Sequence, residues 1–150
     1  MPVPWKIIGT SLVGTITAIG GIATLHQYYE TRTIGTLTGS WTLRHTVAEG
    51  PYNGTTLTFK MYLAQNGRQF SGTGEKVEVD GVVLPPQERT PLTIVAGTID
   101  GSDVAATYVE AGKSRETRGL LNWKLRGREL LGEFKHSTGS AGYSHGRKTE

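Results

Sequence analysis

The chain has 150 residues, a formal net charge of +3, 21 glycines, six prolines and no cysteine. Without cysteine there are no disulfides, no thiolate metal sites and no cysteine nucleophile, while the compartment stays open. The length fits one domain plus a leader, and the Gly- and Thr-rich, Pro-poor composition suits short strands and tight turns rather than disorder.

The leader comes first. Residues Ile7–Leu25 contain no charge, and nineteen residues at ~1.5 Å each reach about the ~30 Å of a bilayer core. Trp5 precedes the run and Tyr28 and Tyr29 follow it, where interfacial aromatics belong. A cleaved signal peptide has a shorter apolar region and a small-x-small site, which "IATLHQYY" does not supply. The expectation is therefore a retained single-pass anchor over residues 1–32, helical over about 5–29, in a cell inner membrane. Thr10, Gly14 and Ala18 fall on one face of that helix and Thr17 and Gly21 on a neighbouring one, a spacing at which helix backbones approach closely in lipid. Self-association is the expected use. Lys6 on one side and Arg32 and Arg44 on the other leave the sidedness undecided.

From residue 33 the pattern changes to period two. "WTLRHTV" places Trp41, Leu43, His45 and Val47 on one face, and "LTFKMYLAQ" does the same for Leu57, Phe59, Met61 and Leu63. "RGLLNWKLR" sets Leu121, Trp123 and Leu125 against Arg118, Asn122, Lys124 and Arg126. "LLGEFKHS" groups Leu130, Phe134 and His136. Asn66-Gly67 and Asp100-Gly101 are hairpin signals, and Ala111-Gly112, Arg126-Gly127 and the stretch from Gly139 to Gly142 read as further turns. Asp80 to Pro91 is the one long connection, its prolines excluding a central strand. Eight strands are expected, near 40–47, 55–65, 68–79, 92–99, 103–110, 115–126, 129–137 and 142–148. Sequential hairpins of even length imply an all-β, up-and-down antiparallel barrel over residues 33–150, closed to remove its edges. Eight strands leave room inside for packed side chains or one small ligand.

Charge is uneven along this domain. Residues 33–110 carry five Lys/Arg against eight Asp/Glu, and residues 111–150 carry nine against four. The second half reads either as the solvated face of the last strands or as a surface for anions.

"LTGSWTL", "FSGTGEK", "AGTIDGSDVAATY" and "LRGRELLGEFKHSTG" together resemble the calycin-type barrels, the lipocalins and avidins, over roughly residues 36–148. With the N-terminal apolar run added, the chain is similar to the membrane-anchored β-barrel effectors of bacterial cyclic-oligonucleotide (CBASS) antiphage defence. That resemblance implies a barrel that binds a cyclic dinucleotide, assembly into an oligomer, and damage to the membrane. One apolar run stands here where that family has two.

Catalytic patterns are weak. Gly142 to Gly146 spells G-x-S-x-G, but a nucleophile elbow needs a strand leading into a helix. His26, His45, His136 and His145 lack metal-binding spacing, Gly72 to Lys76 lacks that of a phosphate loop, and no carboxylate pair stands out. Asn53-Gly54-Thr55 fits a short sequon of the kind that arises by chance. No enzyme, metal or cofactor is expected. His45 and His136 share inward faces with Trp41 and Phe134, and are either satisfied core histidines or, with Trp41 and Trp123, the ligand-binding residues of a hollow barrel. Such a site suits a planar, partly anionic molecule, because aromatic faces stack on bases and imidazoles bond phosphate or carbonyl oxygens; the resemblance to the antiphage effectors implies that it is a cyclic nucleotide. The expected function is a membrane-anchored small-ligand-binding barrel that works as a homo-oligomer with membrane lipid and without a nucleic acid polymer. The alternatives are a structural accessory subunit of a membrane complex, with a filled core, and an envelope-facing binding or inhibitor domain.

Overall fold

The computed structural model of the chain describes residues 36–150. Nine strands follow one another: β1 (Gly39–Glu49), β2 (Thr56–Asn66), β3 (Gln69–Val79), β4 (Val82–Val83), β5 (Thr90–Asp100), β6 (Asp103–Ala111), β7 (Glu116–Arg126), β8 (Glu129–His136) and β9 (Ala141–Lys148). Each long strand pairs antiparallel with the next, β9 pairs with β1, and β2–β3 completes the circuit, so eight strands close into a barrel. Closure leaves no long unpaired edge. β4 is a two-residue addition paired to the end of β3.

The eight long strands match the period-two segments of the sequence to within about two residues. The largest difference is in the long connection, where β4 and a single turn of 3-10 helix (Pro86–Glu88) form, and β5 begins early enough to include Pro91. Pro91 is tolerated because it stands second in its strand, before the inward run of β5 begins.

The two ends of the barrel differ. At one end β2–β3, β5–β6 and β7–β8 are joined by two-residue turns, Gly67-Arg68, Gly101-Ser102 and Gly127-Arg128. In each the glycine takes a positive φ of 59–62°, at the first turn position, as II′ hairpins require. Asn66 and Asp100 therefore end their strands rather than turn the chain. At the other end the connections are longer: 50–55, 80–89, 112–115 and 137–140. The described chain enters at the tight-turn end, which we call the base, and the other end is the mouth.

Alternation puts Trp41, Leu43, Phe59, Met61, Leu63, Phe70, Leu92, Ile94, Ile99, Leu121, Trp123, Leu130 and Phe134 inside, all buried. Large inward residues lean over glycines paired with them on the neighbouring strand. Phe70 covers Gly97, and Leu43 and Leu130 close over Gly146, leaving no room for a side chain at either glycine. Burial of each such aliphatic or aromatic side chain stabilises by about 1.5–3 kcal/mol. Both inward tryptophans are anchored in this filled region. Trp41 Nε1–H donates to the Leu37 carbonyl at 2.7 Å, and Trp123 Nε1–H donates to Ser144 Oγ at 2.7 Å.

The transmembrane helix expected over 5–29, with Thr10, Gly14, Thr17, Ala18 and Gly21, lies outside the described residues. Among the described residues no helix is long and apolar enough to cross a membrane.

Candidate functional site

The mouth half of the barrel is not filled. A cavity of about 460 Å³ opens there, within the range of small-molecule sites. Its lining follows from the same alternation that builds the core below. On β1 the inward series Trp41, Leu43, His45, Val47 climbs from base to mouth, so His45 stands about 13 Å along the strand from Trp41 at ~3.3 Å per residue. On β8 the series Leu130, Gly132, Phe134, His136 does the same. On β6 it runs Val104, Ala106, Tyr108, Glu110, and β3 contributes Lys76 and, past a bulge, Val79.

His45 forms the floor. It is 1% exposed, stacks on Phe134 with ring centroids 4.5 Å apart, and tilts against Phe59 at 4.9 Å. Burial pushes its pKa down to about 3, helped by His136 and Lys76, so the ring is neutral at pH 7. His136 sits higher, near the rim. Burial lowers its pKa, Glu110 pulls it back up, and Lys76 and Arg115 lower it again. Its Nδ1 accepts the Thr138 backbone N–H at 3.3 Å and lies 2.7 Å from Thr138 Oγ1. That network assigns the ring proton to Nε2. Nε2 of His45 and Nε2 of His136 are both buried without a hydrogen-bond partner. Buried polar atoms of this kind are rare in native proteins and call for an explanation.

A charged pair lies beside them. Lys76 Nζ donates to Glu110 Oε1, both side chains being largely buried, and Lys76 Nζ stands 5.9 Å from the Phe59 ring centroid. Glu110 Oε2 lies 3.9 Å from His136 Nε2. Burial, then the Glu110 charge, push the Tyr108 phenol well above its usual pKa, so Tyr108 remains an O–H. Arg115, on the β6–β7 loop, adds a second cation to the lining. Two cations and one carboxylate leave the cavity with a net positive charge.

The rim is braced by its own loops. Ser140 Oγ–H donates to the Pro51 carbonyl, tying the β8–β9 loop to the β1–β2 loop. Arg89 Nη1 meets Glu75 Oε1 at 2.9 Å and its Nε donates to the Leu84 carbonyl, which pins the β4 excursion. Tyr52 holds a φ of 68°, unusual for an aromatic residue, and is 70% exposed at the cavity edge.

Of the four residues expected to bind ligand, His45 and His136 are brought together in this cavity, whereas Trp41 and Trp123 are not among its lining residues. The two tryptophans share the inward face but sit nearer the base, where their N–H groups already have acceptors. Lys76, Glu110, Tyr108 and Arg115 are lining residues that sequence reasoning missed. Glu110 was signalled, because Val104, Ala106, Tyr108 and Glu110 continue one period-two face. Lys76 was harder, since the inward positions before it are Gly72 and Gly74 and a bulge follows at its pairing with Phe59.

The G-x-S-x-G segment lies within β9. Ser144 is buried and accepts from Trp123, while His145 faces outward, 3.5 Å from Glu129. It is a strand and not a strand-to-helix elbow. Among the described residues no cluster of His, Asp and Glu has metal-binding geometry.

The fold and cavity define a closed eight-stranded antiparallel barrel, compatible with a calycin-like fold, that is filled at its base and hollow at its mouth. Comparison with family models, curated proteins and solved structures gives no match.

Proposed function

We propose that the barrel is the sensing domain of a membrane-anchored effector, and that its mouth cavity takes a small, partly anionic, aromatic ligand of the cyclic-nucleotide class. The observation that carries this reading is a pair of histidines, His45 and His136, each with a buried and unpartnered Nε2, both lining a cavity of about 460 Å³ together with Lys76 and Arg115. His136 offers an N–H donor, Arg115 offers a positive charge that the Lys76–Glu110 pair leaves uncancelled, and the Phe134, Tyr108 and His45 rings supply apolar wall. A phosphate-bearing heterocycle uses all three. The uncharged Ile7–Leu25 run supports an anchor, and its small residues support self-association as the output. The resemblance to antiphage barrel effectors combines these parts in one chain.

Thermal shift of the full-length protein in detergent, against cyclic mono- and dinucleotides with apolar metabolites as controls, tests the reading. Stabilisation by a cyclic nucleotide is expected, with a rise in oligomer size that Gly14→Leu suppresses. Stabilisation by none of them overturns it. A ligand-free accessory subunit of a membrane complex is the second reading, favoured by the packed base half of the barrel, and that negative result selects it.

A further inference from the structure

We infer that Glu110 and His136 read the polar edge of a heterocyclic base, and that this edge, not phosphate charge alone, decides which ligand the cavity accepts. This rests on the ligand class proposed above and names the part of the ligand that is recognised.

A pocket built only to attract anions has no use for a carboxylate. Yet Glu110 is the single carboxylate among the described lining residues, and it sits beside the deepest cation, Lys76. Its two oxygens are in different situations. Oε1 is taken by Lys76, whereas Oε2 has no hydrogen bond and lies 3.9 Å from His136 Nε2. The Thr138 N–H on Nδ1 makes that Nε2 a donor. Side by side, on two residues that line the cavity, stand one acceptor and one donor, the donor buried and reached when a ligand displaces its cover. Base edges carry the complementary arrangement, an N–H next to a ring nitrogen or carbonyl oxygen, and flipped bases are read through that edge. Neutralised by Glu110, Lys76 is a weak phosphate ligand in this arrangement, which leaves Arg115 at the rim as the cation for phosphate. The ligand would then enter base first.

Binding to the full-length protein in detergent is measured by calorimetry for cyclic AMP, cyclic GMP, cyclic di-AMP and cyclic di-GMP, with inorganic pyrophosphate as the base-free anion. Wild type should bind at least one nucleotide and bind pyrophosphate more weakly. His136→Phe keeps a ring and removes the donor, so nucleotide affinity should fall about tenfold, the loss of one hydrogen bond, with pyrophosphate unchanged. Glu110→Gln frees Lys76, so pyrophosphate should bind tighter while the order of preference among the four nucleotides changes. Circular dichroism confirms that each variant is folded, and either variant alone suffices if the other fails to fold. Parallel changes for nucleotides and pyrophosphate overturn the inference and leave the proposed ligand class standing. Pyrophosphate binding without nucleotide binding overturns both, as does a wild type that binds neither.

Discussion

His45 lies flat on Phe134, with the two ring planes 10° apart. The contact seals the imidazole between the packed base and the open mouth and makes it a buried titratable group in a mostly apolar floor.

A pH dependence follows from that burial. The folded pKa is about 3 against 6.5 for the free side chain. Below 6.5 the unfolded chain takes up a proton that the folded chain refuses, so this contribution to stability is intact above 6.5 and is lost as pH falls toward 3. The loss is about 3 kcal/mol by pH 4.5, and His136, lowered too, adds in the same direction. Urea midpoints at pH 7.5 and 4.5 measure it. His45→Phe should flatten the dependence; an unchanged slope would assign it to other groups.

The indole anchors give a second test. Ser144→Ala leaves Trp123 Nε1–H buried without its acceptor and should cost about 1–3 kcal/mol. Trp41→Ala empties the base beneath Leu37 and should cost ~3–5 kcal/mol. Urea denaturation reads both. A loss under about 1 kcal/mol for Trp41→Ala is what an exposed ring would give.

Gly119 lies under the Tyr108 ring, and a Cβ there would overlap it. Gly119→Ala should lower stability by about 1–3 kcal/mol, as overpacking does. It should also push Tyr108 toward the cavity and weaken any ligand bound there. A thermal midpoint equal to wild type would show that the ring moves freely.

Alternation made the barrel legible. A period of two in β1, β2, β7 and β8 fixed which residues face inward, and the glycine turns fixed where strands stop, so register and topology followed. Height along the barrel was not legible. Trp41 and His45 share one face and read as neighbours, yet four strand positions separate a packed base from a hollow mouth. Which end is open depends on loop length and on how large residues meet glycines of the neighbouring strand, such as Phe70 over Gly97. Neither is a property of one strand. Lys76 and Glu110 meet from β3 and β6 with β5 between them, a pairing that no local pattern contains.

The leader predicts a fractionation result. Uncharged over Ile7–Leu25 and flanked by Trp5, Tyr28 and Tyr29, it should hold the full-length protein in membranes washed with carbonate. Recovery of the intact chain in the soluble fraction, or a mature N-terminus beyond Leu25, contradicts an anchor.

The division of the interior into base and mouth separates binding from stability. His136 stands near the rim, with its Nε2 buried and unpartnered and its Nδ1 held by Thr138. His136→Ala should weaken a cyclic nucleotide by about tenfold, the worth of one hydrogen bond to the base edge at ~1.4 kcal/mol. It should move the thermal midpoint less than His45→Ala does, because the Tyr108 ring beside it is tilted and 6.2 Å away, against 4.5 Å for the His45–Phe134 stack. His45→Ala is different, since it removes the floor on which Phe134 lies. It should lower stability and affinity together. Trp123→Phe should lower stability alone, because Trp123 does not line the cavity and its indole N–H is spent on Ser144. Thermal midpoints of the three ligand-free variants, set beside their affinities for the best-bound cyclic nucleotide, give the comparison. If Trp123→Phe weakens binding as much as His136→Ala does, the ligand reaches into the base and the mouth cavity is only its entrance.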